Sequence, residues 1–405
     1  MSIPTDWKVK RLEKLVQFSS GGIPSKANKS YWQGDIPWIS ASTMHQQEII
    51  SSDLFISKAG LAAGSKLAKE NDLLLLVQGS MLWKKIPICL CKRDVAFNQD
   101  VKSLSVNKSI QANYLLYWFL ANQRFLLNKI VGTGIGAGKI DFDALKSLDI
   151  LLPPLPEQKA VVDLLSIWDK AIEKTERLIQ AKEMRLKYLL NDLIHKGRCN
   201  HSWKGFNLGD ICHPITRKNA ENETNVLTSS AQHGLISQLE YYNKSVSADD
   251  VTGYYLLKRG DFAYNRSSAK GFPFGATKRL DRYEQGVLST LYLCFSLTPN
   301  APCESDFLLH LFKSGSLNRE LRAVCQEGAR SHGLLNITKP DFFGVKVFLP
   351  DQNQQKQIVF ALNTAQQEID LLKQLLEKYK TQKRGLMQKM LTGAWRVKPA
   401  LGGGS

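Results

Sequence analysis

No apolar run in this 405-residue chain approaches the roughly 20 residues that a membrane-spanning helix needs, so no membrane partner is expected. The opening MSIPTDWKVKRLEK has no apolar stretch of the kind a secretory leader carries. Cysteine is sparse. The seven present, odd in number and scattered, fit a reducing cytoplasm rather than a disulfide framework, and the expected location is cytoplasmic. His195, Cys199, His201, Cys212 and His213 lie near one another, yet their spacing fits no standard zinc finger, and no metal is expected. Cys89 and Cys91 alternate along a strand-like run and read as small buried hydrophobes. No G-x-x-x-x-G-K-[ST] phosphate loop occurs, which excludes ATP hydrolysis by that route. The Asn/Asp-Pro-Pro-aromatic tetrad of amino-methyltransferases is missing as well. These absences argue against an enzyme.

Acidic residues are the other shortage. Asp and Glu number 37 against 54 Lys and Arg, a formal charge of +17. Such an excess holds a polyanion nearby through counterion release, so nucleic acid is the first partner to test. Hydrophobic residues make up 43% of the chain, enough for packed cores, and the length implies two or three folded units.

What is present is written twice. Trp7-Lys8 followed by Leu12 returns as Trp203-Lys204 followed by Leu208. The aspartate-led run Asp72-Leu73-Leu74-Leu75 returns as Asp261-Phe262-Ala263-Tyr264. Tyr114 to Phe119 matches Phe307 to Phe312, and Leu155-Pro156-Glu157-Gln158-Lys159 has its counterpart in Leu349-Pro350 with Gln355-Lys356. The ends of the copies stay nearly in frame while the middle drifts by several residues, as expected where scaffold elements repeat and loops differ.

Each copy has two parts. The first, about 1–150 and 200–345, mixes strand-like runs such as 73–77 and 287–297 with polar, glycine-containing loops, and reads as an α+β domain. The second carries heptads. Leu165, Ile172, Ile179, Leu186 and Leu193 recur every seven positions, beside Trp168, Thr175, Lys182 and Leu189. The later copy has Leu362, Ile369, Leu376 and Met390, beside Leu372, Tyr379 and Leu386. Two long helices packed on one another are expected, with Lys182 and Lys383 as polar positions that can fix register and Gly197 and Gly393 as C-terminal stops. About 38 residues at ~1.5 Å each give roughly 57 Å of helix. Run antiparallel, such a pair would hold the two domains at opposite ends and act as a ruler. A coiled coil used only as a scaffold, with domains that bind protein, is the alternative.

At this point the residues resemble a known family, the specificity subunits of type I restriction-modification enzymes. The run Ser20-Gly21-Gly22-Ile23-Pro24-Ser25-Lys26, then Tyr31-Trp32 and Asp35-Ile36-Pro37-Trp38-Ile39, is similar to the opening signature of its target-recognition domains. Leu151 to Lys159 and Gly385 to Gly393 resemble the start and end of its spacer helices. The resemblance implies an α+β fold with two target-recognition domains, 1–154 and 199–348, and two antiparallel coiled-coil helices, 155–198 and 349–396. Residues 397–405 would be a tail whose GGGS resembles an added linker. It further implies that each domain reads half of a split, asymmetric site in double-stranded DNA. Two methyltransferase subunits and two ATP-driven restriction subunits would be the partners, and S-adenosylmethionine, ATP and Mg²⁺ would be handled by them, with no cofactor in this chain.

Three segments are candidates for touching DNA. The opening loop offers Ser20, Gly21, Gly22, Ser25, Lys26, Lys29 and Tyr31, with Trp32 beside them, where glycines permit close backbone approach and lysines add charge. The turn after the aspartate-led strand offers Gln78, Gly79, Ser80, Lys84 and Lys85, and in the second copy Asn265, Arg266, Ser267, Ser268 and Lys270. Gln and Asn pair bidentately with adenine and Arg with guanine, so this is the preferred base-reading site. The loop before each final strand offers Lys139 in one copy and Arg330 and His332 in the other. Arg217 and Lys218 complete the set as basic candidates. Gly132 to Ala137 matches GxGxxA, but a dinucleotide site needs a strand before it and a helix after it, and cofactor binding is not expected there.

Overall fold

The computed structural model describes residues 4–134, 136–197, 202–220, 222–230, 234–243, 250–268, 272–327 and 335–397. The chain divides into two compact units, one of Met1–Thr175 with Leu375–Ser405 and one of Glu176–Gln374, so the division passes through both long helices.

In the first unit, five strands form a sheet in the order Val16–Ser20, Val101–Val106, Leu73–Leu76, Ile88–Cys91, Glu48–Ile49. Leu73 to Leu76 are all fully buried, as expected of a strand covered on both faces. They share a core with Tyr114 to Phe119 of the helix Ala112–Ala121. In the second unit the order is Cys212–Pro214, Leu293–Leu297, Phe262–Asn265, Ala276–Arg279. In both, the strand following the aspartate lies next to the last long strand, which in turn lies next to the first.

The aspartate closes the same turn in both units. Asp72 Oδ2 accepts the amide of Lys69 at 2.8 Å, and Asp261 Oδ2 accepts that of Lys258 at 2.7 Å. Each closes a tight turn whose preceding residue is left-handed, Asn71 at φ 70° and Gly260 at φ 91°.

A two-stranded ribbon leads into each long helix: Lys8–Arg11 with Asp149–Leu152, and Lys204–Asn207 with Lys346–Leu349. The helices are Leu155–Leu190, continued by the π-helical turn Asn191–Lys196, and Gln352–Leu391. A fully buried glutamine near the start of each ties it to its own domain. Gln158 Oε1 accepts the amide of Gln111 at 2.9 Å while Nε2 donates to the carbonyls of Ser109 and Pro153 at 3.0 Å. Gln355 repeats this with the amide of Glu304 and the carbonyls of Pro302 and Pro350.

Within the first unit, Val161 and Leu165 share a core with Met387, Met390 and Leu391, whereas Trp168 meets Tyr379 at 5.8 Å between ring centres. Within the second, Ile194 joins Ile358 and Leu362, while Lys182 pairs with Glu368 at 2.6 Å and Glu183 with Lys373 at 2.7 Å. Later residues of one helix face earlier residues of the other, so the pairing is antiparallel in each unit. Leu165, Ile179, Leu362, Ile369, Leu376 and Met390 are buried; Ile172, Leu186, Leu193 and Leu372 are half-buried, because a two-helix seam leaves its flanks open. Lys383, 6% exposed, bonds Asp169, which also accepts Tyr117 Oη at 2.7 Å.

The two expected glycine stops differ. Gly393 is left-handed at φ 76°, a true stop, but Gly197 keeps helical geometry at φ −58°. The requirement at Gly197 is space: a Cβ there would lie 2.8 Å from Trp203 Cζ2. Past Gly393 the chain folds back, and Arg396 bonds both Glu157 (2.7 and 2.8 Å) and Asp6 (3.0 and 2.7 Å).

Candidate nucleic-acid interface

In the first unit, two of the three candidate segments meet. Gln78–Gly79 pairs with Gly138–Lys139, the second strand of the hairpin Ile130–Gly132 and Gly138–Ile140. The turn after Leu76 is therefore a third strand of that hairpin. Gly79 at φ 148° takes a conformation other residues rarely adopt, which is the local reason for glycine at this bend. Ser80–Trp83 then forms one 3₁₀ turn, ending on the exposed Lys84 and Lys85. Trp83 crosses back to the hairpin, donating from Nε1 to the Gly136 carbonyl at 3.0 Å.

Ser20 joins this surface. Its hydroxyl accepts a hydrogen bond from Lys102 Nζ, and burial together with the charge of nearby Lys139 pulls the Lys102 pKa below the usual lysine range. A half-buried lysine beside a second lysine is a place where a phosphate would be favoured.

The rest of the opening loop has a different role. A Cβ at Gly21 would lie 2.1 Å from the Phe97 carbonyl, and one at Gly22 would lie 2.1 Å from that of Gly64. These glycines are required by contact with the protein's own backbone, which corrects the expectation of a backbone laid open to phosphate. Ser25 accepts Trp32 Nε1 on its carbonyl at 3.2 Å, and Tyr31 accepts the Ser57 amide at 2.9 Å. Trp32 packs edge-on against Trp38. Lys26 and Lys29 remain exposed along an open cleft floored by Trp32 and Leu54.

GxGxxA is part of the hairpin. Thr133 donates from its amide to the Ala137 carbonyl at 2.8 Å and Gly136 is left-handed at φ 79°, the geometry of a strand reversal and not of a strand running into a helix.

The second unit builds the same junction from other residues. Leu335 donates its amide to the Arg266 carbonyl at 2.7 Å, as Ile140 does to that of Val77 at 2.9 Å, so the turn at Arg266 again abuts a hairpin, Gln326–Glu327 with Leu335–Asn336. Asn265 accepts the Ser267 amide on Oδ1 at 3.1 Å, which holds the turn, and Ser268 is exposed. Arg266 is half-buried, with Nε on the Leu291 carbonyl at 2.8 Å. Lys270, Arg330 and His332 lie outside the described residues, as do Cys199 and His201.

Arg217 and Lys218 are engaged within the unit. Arg217 is ion-paired to the buried Asp261, and Lys218 donates to the Gly253 carbonyl at 2.7 Å and lies over the Tyr255 ring. Their charge serves the fold around Asp261, so they are weaker DNA candidates than their sequence suggests.

Buried thiols complete the picture. Burial pushes Cys89 up to about 12 and raises Cys91 further, consistent with inert packing. Among the described residues, no helix is long and apolar enough to cross a membrane.

The family profile of the type I restriction modification DNA specificity domain matches residues 4–183. The chain is 24% identical over 421 residues to the type I restriction enzyme MjaVIII specificity subunit of Methanocaldococcus jannaschii, covering 98% of this chain and 95% of that protein. It is 31% identical over 185 residues to the EcoR124I/EcoR124II specificity subunit of Escherichia coli, covering 45% of each. Among solved structures, it is similar in fold to the type I restriction-modification S subunit from M. genitalium (TM-score 0.53, 13% identity, 96% of this chain and 98% of that chain). It is also similar to a chain from a study of assembly and conformational transition of the type I R-M system (TM-score 0.59, 16% identity, 98% and 100%). Residues 4–183 thus match the type I restriction modification DNA specificity domain, and over nearly its whole length the chain is similar in sequence to a type I restriction enzyme specificity subunit.

Proposed function

We propose that the chain recognises a bipartite, asymmetric site in double-stranded DNA, each unit reading one half, and that it is the platform on which methyltransferase and restriction subunits assemble. One observation carries this reading. Both units present a turn, after the same aspartate-led strand, against the same kind of hairpin, yet the turns differ: Gln78-Gly79-Ser80 in one, Asn265-Arg266-Ser267 in the other. A repeated scaffold with unlike side chains at the edge is what two half-sites of different sequence require.

Phosphate contacts from Lys84, Lys85 and Lys139 would position the duplex, and Gln78 or Asn265 and Arg266 would read base edges. The paired helices would set the unread spacer. Methylation requires an adenine held outside the stack, and cleavage requires ATP, so S-adenosylmethionine, ATP and Mg²⁺ are assigned to the partners and no catalysis to this chain. Phe360 and Leu371, 75% and 57% exposed on the second long helix, offer apolar surface to such a partner.

Methylation sequencing of DNA from cells expressing the whole complex tests the reading. A split motif with two unlike halves is expected; an unsplit motif, or none, contradicts it. A scaffold that binds only protein would show no steep salt dependence on DNA.

A further inference from the structure

The turn Ser80–Trp83 carries a side chain that neither charge nor packing explains. Trp83 is 51% exposed, although an indole is among the largest apolar groups a fold can cover. It is nonetheless held in place. Nε1 is fixed on the Gly136 carbonyl, and the ring approaches Gly132, where a Cβ would lie 3.7 Å from Cη2. The aromatic surface is presented rather than mobile.

Its surroundings decide what it is presented to. Lys84 and Lys85 follow it directly, and Lys139 is on the hairpin it clasps. Neither 78–85 nor 130–140 contains an acidic residue. A protein partner would be met by opposite charge, and an apolar core by fewer lysines. A fixed aromatic face followed in sequence by two lysines, with a third on the hairpin it bonds, suits a polyanion that also has flat apolar surface, which is what nucleic acid offers through its bases and sugars.

We infer that Trp83 is a DNA-contacting residue of the first unit, an aromatic anchor that packs on a base or deoxyribose while the adjoining lysines hold phosphates. This rests on the DNA reading proposed above and adds to it a contact whose strength does not depend on salt. By the offset that aligns Val77 with Arg266, the position of Trp83 is taken in the second unit by Phe272, an aromatic ring without the indole N–H.

The test uses the assembled complex and a duplex carrying the site mapped by methylation sequencing. Trp83→Ala is expected to weaken binding on the order of 10–100-fold with the slope of log K against log salt unchanged. Trp83→Phe, which keeps a ring and loses the Gly136 bond, is expected to retain most of the affinity. Lys84→Gln with Lys85→Gln is expected to lower the slope by about two. Unaltered affinity in Trp83→Ala overturns the inference while leaving the DNA reading intact; an unaltered slope in the lysine variant, or no binding by the wild type, strikes the reading itself. If Trp83→Ala does not fold, hydroxyl-radical footprinting of the wild-type complex decides. Oxidation of Trp83 should fall several-fold on adding the duplex, and unchanged oxidation overturns the inference.

Discussion

At the residue scale, single buried polar groups hold the domains to the helices. Gln158, itself fully buried, satisfies one amide and two carbonyls, and Gln355 does so in the other unit. Gln158→Leu, of similar volume, leaves those groups unpaired and is expected to cost about 2–4 kcal/mol. A denaturant titration should show the loss, with Gln355→Leu giving a comparable value. The staple of Asp6, Arg396 and Glu157 acts in the same way on the chain ends of the first unit. The Arg396 side chain holds the Asp6 carboxyl below the usual carboxylate range. A depressed acid stabilises the fold above its unfolded pKa, and that contribution disappears as pH falls through the folded one. Asp6→Asn should therefore lower the melting temperature at pH 7, and the gap to wild type should close toward pH 3.

Residue types were legible here to the extent that their partners are local. The heptads, the aspartate-led strands and the glutamine after each proline-rich step could be matched by eye. Arg217 looked like a free cation because Asp261, its partner, lies far along the chain. Gly21 and Gly22 looked like phosphate-approach glycines because nothing in the sequence announces the Phe97 and Gly64 carbonyls against them.

At the scale of elements, the polar breaks in the apolar seam become specific contacts. Lys383 reaches Asp169 on the facing helix, and Tyr117 from the domain completes the group, so helix register and domain placement in the first unit share one buried charge. Lys383→Met leaves the partly exposed Asp169 with a single donor and is expected to destabilise by about 1–3 kcal/mol. Adding Asp169→Leu should return much of that loss, because an apolar seam tolerates a second apolar residue better than a lone carboxylate; a double-mutant cycle on thermal or urea unfolding measures it. Periodicity foretold the helices and their lysine interruptions. It could not foretell that Gln78 would pair with Lys139, since cross-strand register between segments so distant is set by the folded sheet. Trp83 escaped for a related reason: one aromatic in a short turn has no period, and only the exposed ring over Gly132 gives it meaning.

For the whole molecule, the central claim is a duplicated chain with two unlike readers for one duplex. The repeat was readable because scaffold residues constrain both copies alike, whereas the turns that would read DNA are free to diverge. Footprinting of the assembled complex on a duplex carrying the mapped site addresses this most directly. Two protected blocks about one helical turn apart, separated by unprotected bases, are predicted. A single continuous block, or protection of one half-site alone with both units folded, would contradict it.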